Sequence, residues 1–521
     1  MSTVSPWPSQ APYPKQQLSD FLREIAEQQP DKTAIIGPDE KFYSFGDVWD
    51  ASRRIARLLQ EAGVSKGQVV GICSPNCPEY VPVVHGILLA GGVVTTINHL
   101  YKERELAFQL SDSGAVALFA GRSPLSLVEV IRDELPALRH TYAIRDIWEM
   151  AAETPRWPEP VAIDPEKDLA ILPYSSGTTG LSKGVMLTHQ NLTSNVRQYL
   201  ATDFAQPGAV ALDFLPFYHI FCLMVLMNVG LANASVQVIT PRFDAHLVLY
   251  LIHKYSVTDM FVVPPALRRL IDLVEQGQKY DASSLRFILS AAAPLPRRMA
   301  EHAQRLCPCP VVQGYGLTEA SPLTNVNPLG QPKLESVGPP VSDTLEKIVS
   351  PETGEDIPLG EPGELLIRGP QVMKGYWNQP EATAEAFTED GWLRTGDICR
   401  FDEDGYLYVL DRKKDTIKYK GYQIAPAELE EVLRLHPSVM DAAVIPKSDI
   451  TGGEIPKAFV VARPGQRPTT RDVIQFVGQR VAPYKKIREV EFVWEIPKSA
   501  RGEILRRELI ERERSRSEAA E

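Results

Sequence analysis

Cysteine is scarce in this chain. Six cysteines in 521 residues are too few for a disulfide framework, and they favour a reducing, cytoplasmic compartment. Cys307 and Cys309 lie together in the sequence CPCP, but no second Cys/His pair follows at zinc spacing nearby. We therefore expect neither a disulfide-stapled fold nor a zinc site.

An excess of basic residues and a signal peptide are also missing. The 55 lysines and arginines against 66 aspartates and glutamates give a formal net charge of −11, which disfavours nucleic-acid binding by phosphate neutralisation. The first residues are proline-rich and polar, without the charged-then-apolar order of a signal peptide. These absences favour a cytoplasmic enzyme that acts on a small molecule.

Residues 214–241 carry no charged side chain over 28 positions, a length that could cross a bilayer. Pro216, His219 and Asn228 interrupt the run, and SVQVIT near its end is typical of a short buried strand. We therefore expect a core helix followed by a core strand, and no transmembrane segment.

Short β-branched runs alternate with helix-length segments through most of the chain. QVVGIC, AVALFA, VQVIT, DMFVVP and LRFILSAA have this character, and residues 47–63 have helical periodicity closed by a glycine. The alternation predicts an α/β domain with parallel sheets. After about residue 340, short alternating strands predict a small antiparallel β subdomain, and a small α+β module begins near Asp411. Its charge-dense end, residues 503–521, is expected to be a solvated helix.

Residues 174–184, YSSGTTGLSKG, form the most distinctive loop. This loop offers backbone N–H groups, hydroxyl side chains and one lysine, and its glycines have no side chains that would keep a ligand away. These features suit a phosphate-binding loop. The spacing is not that of a Walker A loop, because Gly184 follows Lys183 where that loop needs Ser or Thr. Such a cluster by itself also fits an ordinary surface loop, so the interpretation depends on other segments.

Six further blocks follow this loop in order along the chain. Together they closely resemble the acyl-adenylate-forming superfamily of acyl- and aryl-CoA ligases, firefly luciferases and peptide-synthetase adenylation domains, over nearly the whole chain. QGYGLTE and KYKGYQIAPAE look most like aryl-CoA ligases of the 4-coumarate type. The six blocks are LPFYHIF (215–221), SAAAPL (290–295), QGYGLTE (313–319), GYWNQPEAT (375–383), GWLRTGD (391–397) and DRKKDTIKYKGYQIAPAELE (411–430).

The resemblance implies a two-step reaction. A carboxylate and MgATP give acyl-AMP, and a thiol then attacks the acyl carbon and releases AMP. ATP or AMP, Mg²⁺ and coenzyme A are the implied cofactors, and a small carboxylic acid and CoA are the implied partners. The implied organisation is an N-terminal domain that binds AMP and the acyl group (1–410), a hinge (411–415) around Lys414, and a mobile C-terminal lid (416–521).

The resemblance also assigns roles to residues that match its motifs. Tyr315 would face adenine, Asp397 would accept both ribose hydroxyls beside Arg412, and Glu319 would hold Mg²⁺. Thr318 would contact the α-phosphate. The β- and γ-phosphates would be held by Ser176, Thr178, Thr179 and Lys183.

Two further groups of residues would serve the acyl group and the thiol. His219, which by itself also fits a core histidine, would border the reacting carboxylate. Ala291 stands where many relatives have glycine, so its methyl group predicts a compact acid such as a benzoate-type ring. The acyl pocket would comprise His219, Phe221, Ala291, Gly314 and Tyr315, and the thioester face Lys418, Lys420, Gly421 and Gln423.

One position departs from the family pattern. The segment IPKSARGEILRR has Glu503 where the pattern P-K-S/T-x-S-G-K has the lysine that bridges the attacking carboxylate and the α-phosphate. A charge contact at ~4 Å and an effective dielectric of ~20 is worth roughly 4 kcal/mol, or about three decades of rate. Arg501 is an imperfect substitute, because two extended residues shift a side chain by nearly 7 Å. Adenylation is therefore expected to be weakened.

Three interpretations remain open at this point. The first is an acyl- or aryl-CoA ligase with a weakened first step. The second is an acyltransferase that moves an acyl group from CoA to the thiol of an acyl carrier protein through bound AMP. The third is a non-catalytic relative that binds acyl-AMP or CoA.

Overall fold

The computed structural model describes residues 5–154, 156–175, 182–277, 280–307, 309–412, 417–449, 453–498 and 504–518. Contacts between Cα atoms divide the chain into two compact units. The larger unit comprises described residues within 1–99, 107–174 and 184–411, and the smaller unit those within 100–106, 175–183 and 412–521.

The strands up to residue 412 form three sheets. The first has the order β15-β14-β13-β12-β10-β11-β1-β2, the second β18-β9-β7-β4-β3-β5-β6 with β8 on β9, and the third β16-β17-β19-β20. The strands are β1 (Thr33–Ile36), β2 (Phe42–Ser44), β3 (Val69–Cys73), β4 (Val93–Thr96), β5 (Ala117–Ala120), β6 (His140–Ala143), β7 (Leu169–Ile171), β8 (Tyr174–Ser175), β9 (Lys183–Thr188), β10 (Val210–Asp213), β11 (Val236–Ile239), β12 (Asp259–Val262), β13 (Phe287–Ser290), β14 (Val311–Gly316), β15 (Leu323–Val326), β16 (Leu345–Val349), β17 (Gly363–Arg368), β18 (Gly375–Tyr376), β19 (Leu393–Phe401) and β20 (Leu407–Arg412).

The predicted parallel strands are confirmed. The runs QVVGIC, AVALFA, VQVIT, DMFVVP and LRFILSAA supply β3, β5, β11, β12 and β13, each of which lies in at least one parallel pair. Antiparallel strands lie at the sheet edges, where β2 pairs β1 and β15 pairs β14. In the third sheet β17 pairs antiparallel with both β16 and β19, as the alternating pattern predicts. The α/β fold class is therefore correct.

Helices between residues 20 and 386 accompany these sheets. A π-helical segment, Cys222–Asn228, leads directly into α8. The helices are α1 (Asp20–Gln28), α2 (Phe45–Glu61), α3 (Tyr80–Leu89), α4 (Glu103–Ser113), α5 (Arg122–Val130), α6 (Ile147–Glu153), α7 (His189–Leu200), α8 (Val229–Ala232), α9 (Ala245–Tyr255), α10 (Pro264–Glu275), α11 (Arg297–Leu306) and α12 (Pro380–Ala386).

The long uncharged stretch is core, as predicted. Every residue of the π-helical segment is buried, and β11 follows α8 in the middle of the first sheet. Its apolar side chains belong to the largest buried cluster, which also includes residues of the second sheet such as Val70 and Ile72. In the described part of the chain, no helix is long and apolar enough to span a membrane.

Helix α2 begins two residues earlier than its apolar periodicity predicts. The Ser44 hydroxyl accepts a hydrogen bond from the backbone N–H of Asp47, and the Asp47 carboxylate accepts one from the Ser44 N–H. This reciprocal capping box satisfies two N–H groups that the first turn leaves open, so the helix starts at Phe45.

From residue 417 onward, the described residues form one sheet and three α-helices. Its strands have the order β22-β21-β24-β23, with β25 parallel to β24. The elements are β21 (Ile417–Tyr419), β22 (Tyr422–Ile424), α13 (Pro426–Arg434), β23 (Val439–Asp449), β24 (Gly453–Ala462), α14 (Thr470–Gly478), β25 (Glu489–Phe492) and α15 (Arg506–Glu518).

The prediction of a solvated terminal helix is wrong for one side of α15. Leu509 is buried, and Ile510 packs against the same apolar cluster, which includes Phe459 of β24. The carboxylate of Glu513 is also buried and accepts a hydrogen bond of 2.5 Å from the ammonium of Lys457. The high charge density of this segment therefore gave no indication of its buried side, whose partners lie about fifty residues away in the sequence.

Candidate active site

The block QGYGLTE is held at the carboxyl edge of the first sheet by β14 and β15. Their antiparallel register pairs Tyr315 with Asn325. Gly316 is required here, because a Cβ atom at this position would lie 2.1 Å from the carbonyl oxygen of Pro322. This close approach fixes the backbone directly after Tyr315.

Tyr315 and Asp397 are brought together from different sheets. The Tyr315 hydroxyl donates a 2.5 Å hydrogen bond to Oδ2 of Asp397, and both residues are buried. Asp397 lies on β19, where its N–H donates to the Thr395 hydroxyl at 3.1 Å, and that hydroxyl donates to the Leu365 carbonyl at 2.8 Å. Two residues for which the resemblance implies contacts with the nucleotide are therefore joined directly by a hydrogen bond.

Glu319 lies in a short 3-10 turn, Thr318–Ala320, directly after this strand. Its buried carboxylate accepts a 2.9 Å hydrogen bond from the hydroxyl of Tyr376 on β18. Its backbone carbonyl accepts from the Met373 N–H at 2.8 Å. Burial and the neighbouring carboxylate raise the pKa of Tyr376, so the phenol stays a donor. Sequence reasoning quoted the block GYWNQPEAT but did not single out Tyr376, whose hydroxyl contacts Glu319.

His219 occupies a turn between β10 and the π-helical segment. Its Nδ1 atom accepts a hydrogen bond from the backbone N–H of Phe221 at 3.3 Å. Burial lowers the pKa of His219 to about 4. The ring is therefore neutral near pH 7, and because Nδ1 is an acceptor, its proton lies on Nε2.

Ala291 comes directly after β13, and Gly314 lies on the neighbouring strand β14. The Ala291 N–H donates to the carbonyl of Val262 at 3.1 Å, and β13 pairs β14 with Ser290 opposite Gln313. Both Ala291 and Phe221 are 8% exposed. A Cβ atom at Gly314 would meet its nearest neighbour at 3.4 Å, an ordinary contact, so packing within the chain does not require this glycine.

In the smaller unit, Lys420 and Gly421 form the turn between β21 and β22. Both have positive φ angles, 50° and 87°, and Tyr419 pairs with Tyr422 on either side, which is the geometry of a two-residue hairpin turn. The N–H of Lys418 donates to the Glu454 carboxylate at 2.7 Å. The structure thus puts these predicted thioester-face residues on one hairpin.

Several assigned positions cannot be added to this geometry. Lys183 begins β9 and Gln423 lies on β22, but the side chain of Gln423 and that of Arg412 are outside the description. Ser176, Thr178, Thr179, Lys414 and Glu503 lie outside the described residues altogether. No group of three or more His, Cys, Asp or Glu side chains suited to a metal ion occurs in the described ranges.

The chain belongs to the AMP-binding enzyme family. A model of that family matches residues 22–377, and a model of the AMP-binding enzyme C-terminal domain matches residues 428–503. The family and the two-domain α/β fold predicted from the sequence are thereby confirmed.

Similar proteins narrow the class to CoA ligases. The chain is 37% identical to a long-chain-fatty-acid–CoA ligase of Bacillus subtilis (strain 168), over 98% of this chain and 99% of that protein. It is 38% identical to a 4-coumarate–CoA ligase of Pinus taeda, over 94% of each. A solved structure of o-succinylbenzoate CoA synthetase from Bacillus subtilis superposes with a TM-score of 0.85 at 29% identity, over 95% of this chain and 98% of that one. The protein is therefore an acid–thiol ligase of the acyl- or aryl-CoA ligase type, which acts through an acyl-AMP intermediate.

Proposed function

We propose that this enzyme activates a compact aromatic or short carboxylic acid with MgATP and transfers it to coenzyme A, and that Glu503 makes the adenylation step slow. The observation that carries the nucleotide part is the buried hydrogen bond between Tyr315 and Asp397. An ionised carboxylate can accept both ribose hydroxyls, and the phenol beside it presents an aromatic face to a base. The free cysteines suit the cytoplasm, the proposed location.

Glu319 suits a Mg²⁺ ion that arrives with the nucleotide. Mg²⁺ is a hard cation that proteins bind through one or two carboxylates together with substrate phosphates. Glu319 supplies one buried carboxylate, and the Tyr376 hydroxyl orients it from 2.9 Å. The cation would neutralise phosphate charge as the acid attacks the α-phosphorus, where Thr318 would contact the phosphate.

His219 would act as a neutral hydrogen-bond donor to the reacting acid. Its Nδ1 atom is occupied by the Phe221 N–H, which leaves Nε2–H for the ligand. A neutral donor orients a carboxylate without forming an ion pair that would weaken its nucleophilicity. In the second step, Lys418, Lys420, Gly421 and Gln423 of the smaller unit would approach the thiol.

The proposed size of the acid is argued from two small residues at the sheet edge, Gly314 and Ala291. Gly314 is not required by packing within the chain, which is consistent with space kept for a ligand. Ala291 adds a methyl group to that space, and this favours a compact ring over a long chain. The relatives do not decide the matter, because their names include both a long-chain fatty acid and 4-coumarate.

Pyrophosphate exchange tests the adenylation step directly. The purified enzyme is incubated with ATP, radiolabelled pyrophosphate and a panel from benzoate to dodecanoate. We expect slow exchange that is fastest with a ring acid, and acceleration by Glu503→Lys of up to about three decades. Exchange that Glu503→Lys leaves unchanged would contradict the role given to Glu503.

The acceptor and the acyl pocket are tested by product analysis. With CoA present, acyl-CoA should form, whereas an acyl carrier protein given acyl-CoA and AMP should stay unloaded; loading would favour the acyltransferase interpretation. Ala291→Gly should shift the preference toward larger acids. The matched control, Ala292→Gly, alters a neighbouring residue at φ 66° and should leave the size ranking unchanged.

A further inference from the structure

The two thiols of the sequence CPCP meet in the larger unit. The Sγ atoms of Cys307 and Cys309 are 3.5 Å apart, and neither belongs to a disulfide. The backbone N–H of Cys309 donates to the carbonyl of Cys307 at 2.8 Å. A fully extended chain would hold these Cα atoms roughly 7 Å apart, too far for a disulfide, which needs roughly 4.4–6.8 Å. The hydrogen bond between the two residues brings them closer together than an extended chain would.

The two thiols have different environments. Cys309 is 6% exposed and belongs to the main apolar cluster, whereas Cys307 is only partly buried, at the end of α11. The contact between the two thiols lowers the pKa of Cys307, while the same contact and burial raise the pKa of Cys309. An accessible thiol that ionises more readily, next to a protected one, is the arrangement of an attacking and a resolving cysteine.

We propose that Cys307 and Cys309 form a reversible redox site that exchanges with small disulfides of the glutathione type. The Cys307 thiolate attacks one sulfur of the disulfide, a mixed disulfide forms, and one small thiolate leaves. Cys309 then loses its proton and attacks the Cys307 sulfur, which forms the Cys307–Cys309 bond and releases a second small thiolate. The two protein thiols are oxidised, the small disulfide is reduced to two thiols, and the leaving thiolates take up the protons.

The position of the pair connects it to the active site. Cys309 lies two residues before β14, the strand that carries Tyr315. The carbonyl of Pro310 accepts a hydrogen bond from the Ile288 N–H at 2.9 Å, which anchors the start of β14 to β13. Closing the disulfide would draw the sulfur atoms from 3.5 Å to about 2.05 Å. Rotation of the two side chains, together with any shift at the end of α11 or the start of β14, would take up that movement.

The test measures bonds rather than activity, so it is independent of the proposed ligase function. The folded full-length protein is equilibrated with defined ratios of oxidised to reduced glutathione, quenched in acid, alkylated under denaturing conditions, digested and analysed by mass spectrometry. We expect a peptide with both Cys307 and Cys309 unalkylated and two hydrogens lighter, reversible by reduced glutathione. The other four cysteines should remain thiols during the equilibration and should therefore be alkylated.

Variants separate the two roles. Cys309→Ser should stop at a glutathione adduct on Cys307, and Cys307→Ser should leave Cys309 unmodified. Cys77→Ser, the matched control for loss of a partly buried thiol elsewhere, should behave like the wild type. The proposal is overturned if no Cys307–Cys309 bond forms at any ratio, or if Cys309→Ser gives no adduct while its circular dichroism shows a folded protein.

Discussion

Asp213 is a buried carboxyl group whose ionisation the fold opposes. It ends β10, is 0% exposed, and neither carboxyl oxygen has a hydrogen-bond partner among the residues that the structure describes. The Asn76 amide donates to the backbone carbonyls of Asp213 and Leu215 instead of to this carboxyl. Burial raises the pKa of Asp213 from its ordinary 3.8 to about 8. The folded protein therefore keeps a proton here that the unfolded chain loses.

This difference predicts how stability depends on pH. Because the folded pKa is the higher one, the contribution of Asp213 is fully present below pH 3.8 and is lost as the pH rises toward about 8. Each pH unit in this window lowers the free energy of unfolding of the wild type by about 1.4 kcal/mol. Asp213→Asn keeps the shape and removes the ionisation. Between pH 5 and pH 7, the free energy of unfolding of the variant should therefore rise by about 3 kcal/mol relative to that of the wild type. Above about pH 8 this difference should not grow further.

The assay is urea unfolding followed by pulse proteolysis, with fragments of the larger unit identified by mass spectrometry, because a two-unit chain need not unfold in one step. Asp259→Asn is the matched control on the neighbouring strand. Burial raises the pKa of Asp259 to about 6 although it pairs with Arg286 at 3.0 Å, so above pH 6 this carboxyl is already ionised in the folded protein. Asp259→Asn should therefore keep the wild-type slope of stability between pH 6 and pH 8, the window in which Asp213→Asn removes it. Parallel pH profiles for the wild type and Asp213→Asn would refute the reasoning.

Three further substitutions test the site and the smaller unit. Asp397→Asn should weaken AMP binding at least roughly tenfold in calorimetry, because it replaces the carboxylate proposed to accept both ribose hydroxyls. Tyr376→Phe should raise the Mg²⁺ concentration for half-maximal pyrophosphate exchange several-fold, since it deletes the hydrogen-bond donor to Glu319, the carboxylate proposed to hold the metal. Arg506→Ala should lower the unfolding free energy of the smaller unit by about 3–5 kcal/mol, because Glu430 is buried and loses a 2.7 Å ion pair. The control Arg512→Ala, at a half-exposed pair, should cost at most about 1 kcal/mol.

Local patterns predicted the elements whose signals are local. Runs such as DMFVVP are almost entirely apolar, which is typical of a parallel strand covered on both sides, and β12 is such a strand. The start of α2 was missed by two residues because apolar periodicity begins inside the helix, whereas the cap, Ser44, precedes it. The signal was present, since serine followed three residues later by an acidic residue is typical of a capping box.

The site divides in the same way. Tyr315, Glu319 and Asp397 lie in blocks whose resemblance to the family implies contacts with the nucleotide or its metal, and the structure joins two of them directly. Tyr376 carries no such signal, because an aromatic residue in a turn-rich segment fits packing equally well. Its contact with Glu319 appears only when β18 pairs with β9 and the hydroxyl reaches that carboxylate, 57 residues away in sequence.

Long-range pairing also decides what a buried charge does. Lys457 and Asp213 both lie on strands and both are buried, yet their situations are opposite. Lys457 contacts Glu513 and Glu491 at 2.5 Å and 3.1 Å, so its charge is compensated and helps to dock α15. Asp213 has no such partner in the described chain, so it stays protonated and makes stability depend on pH. The composition counts both simply as charged residues, and only the fold determines which of them has a partner.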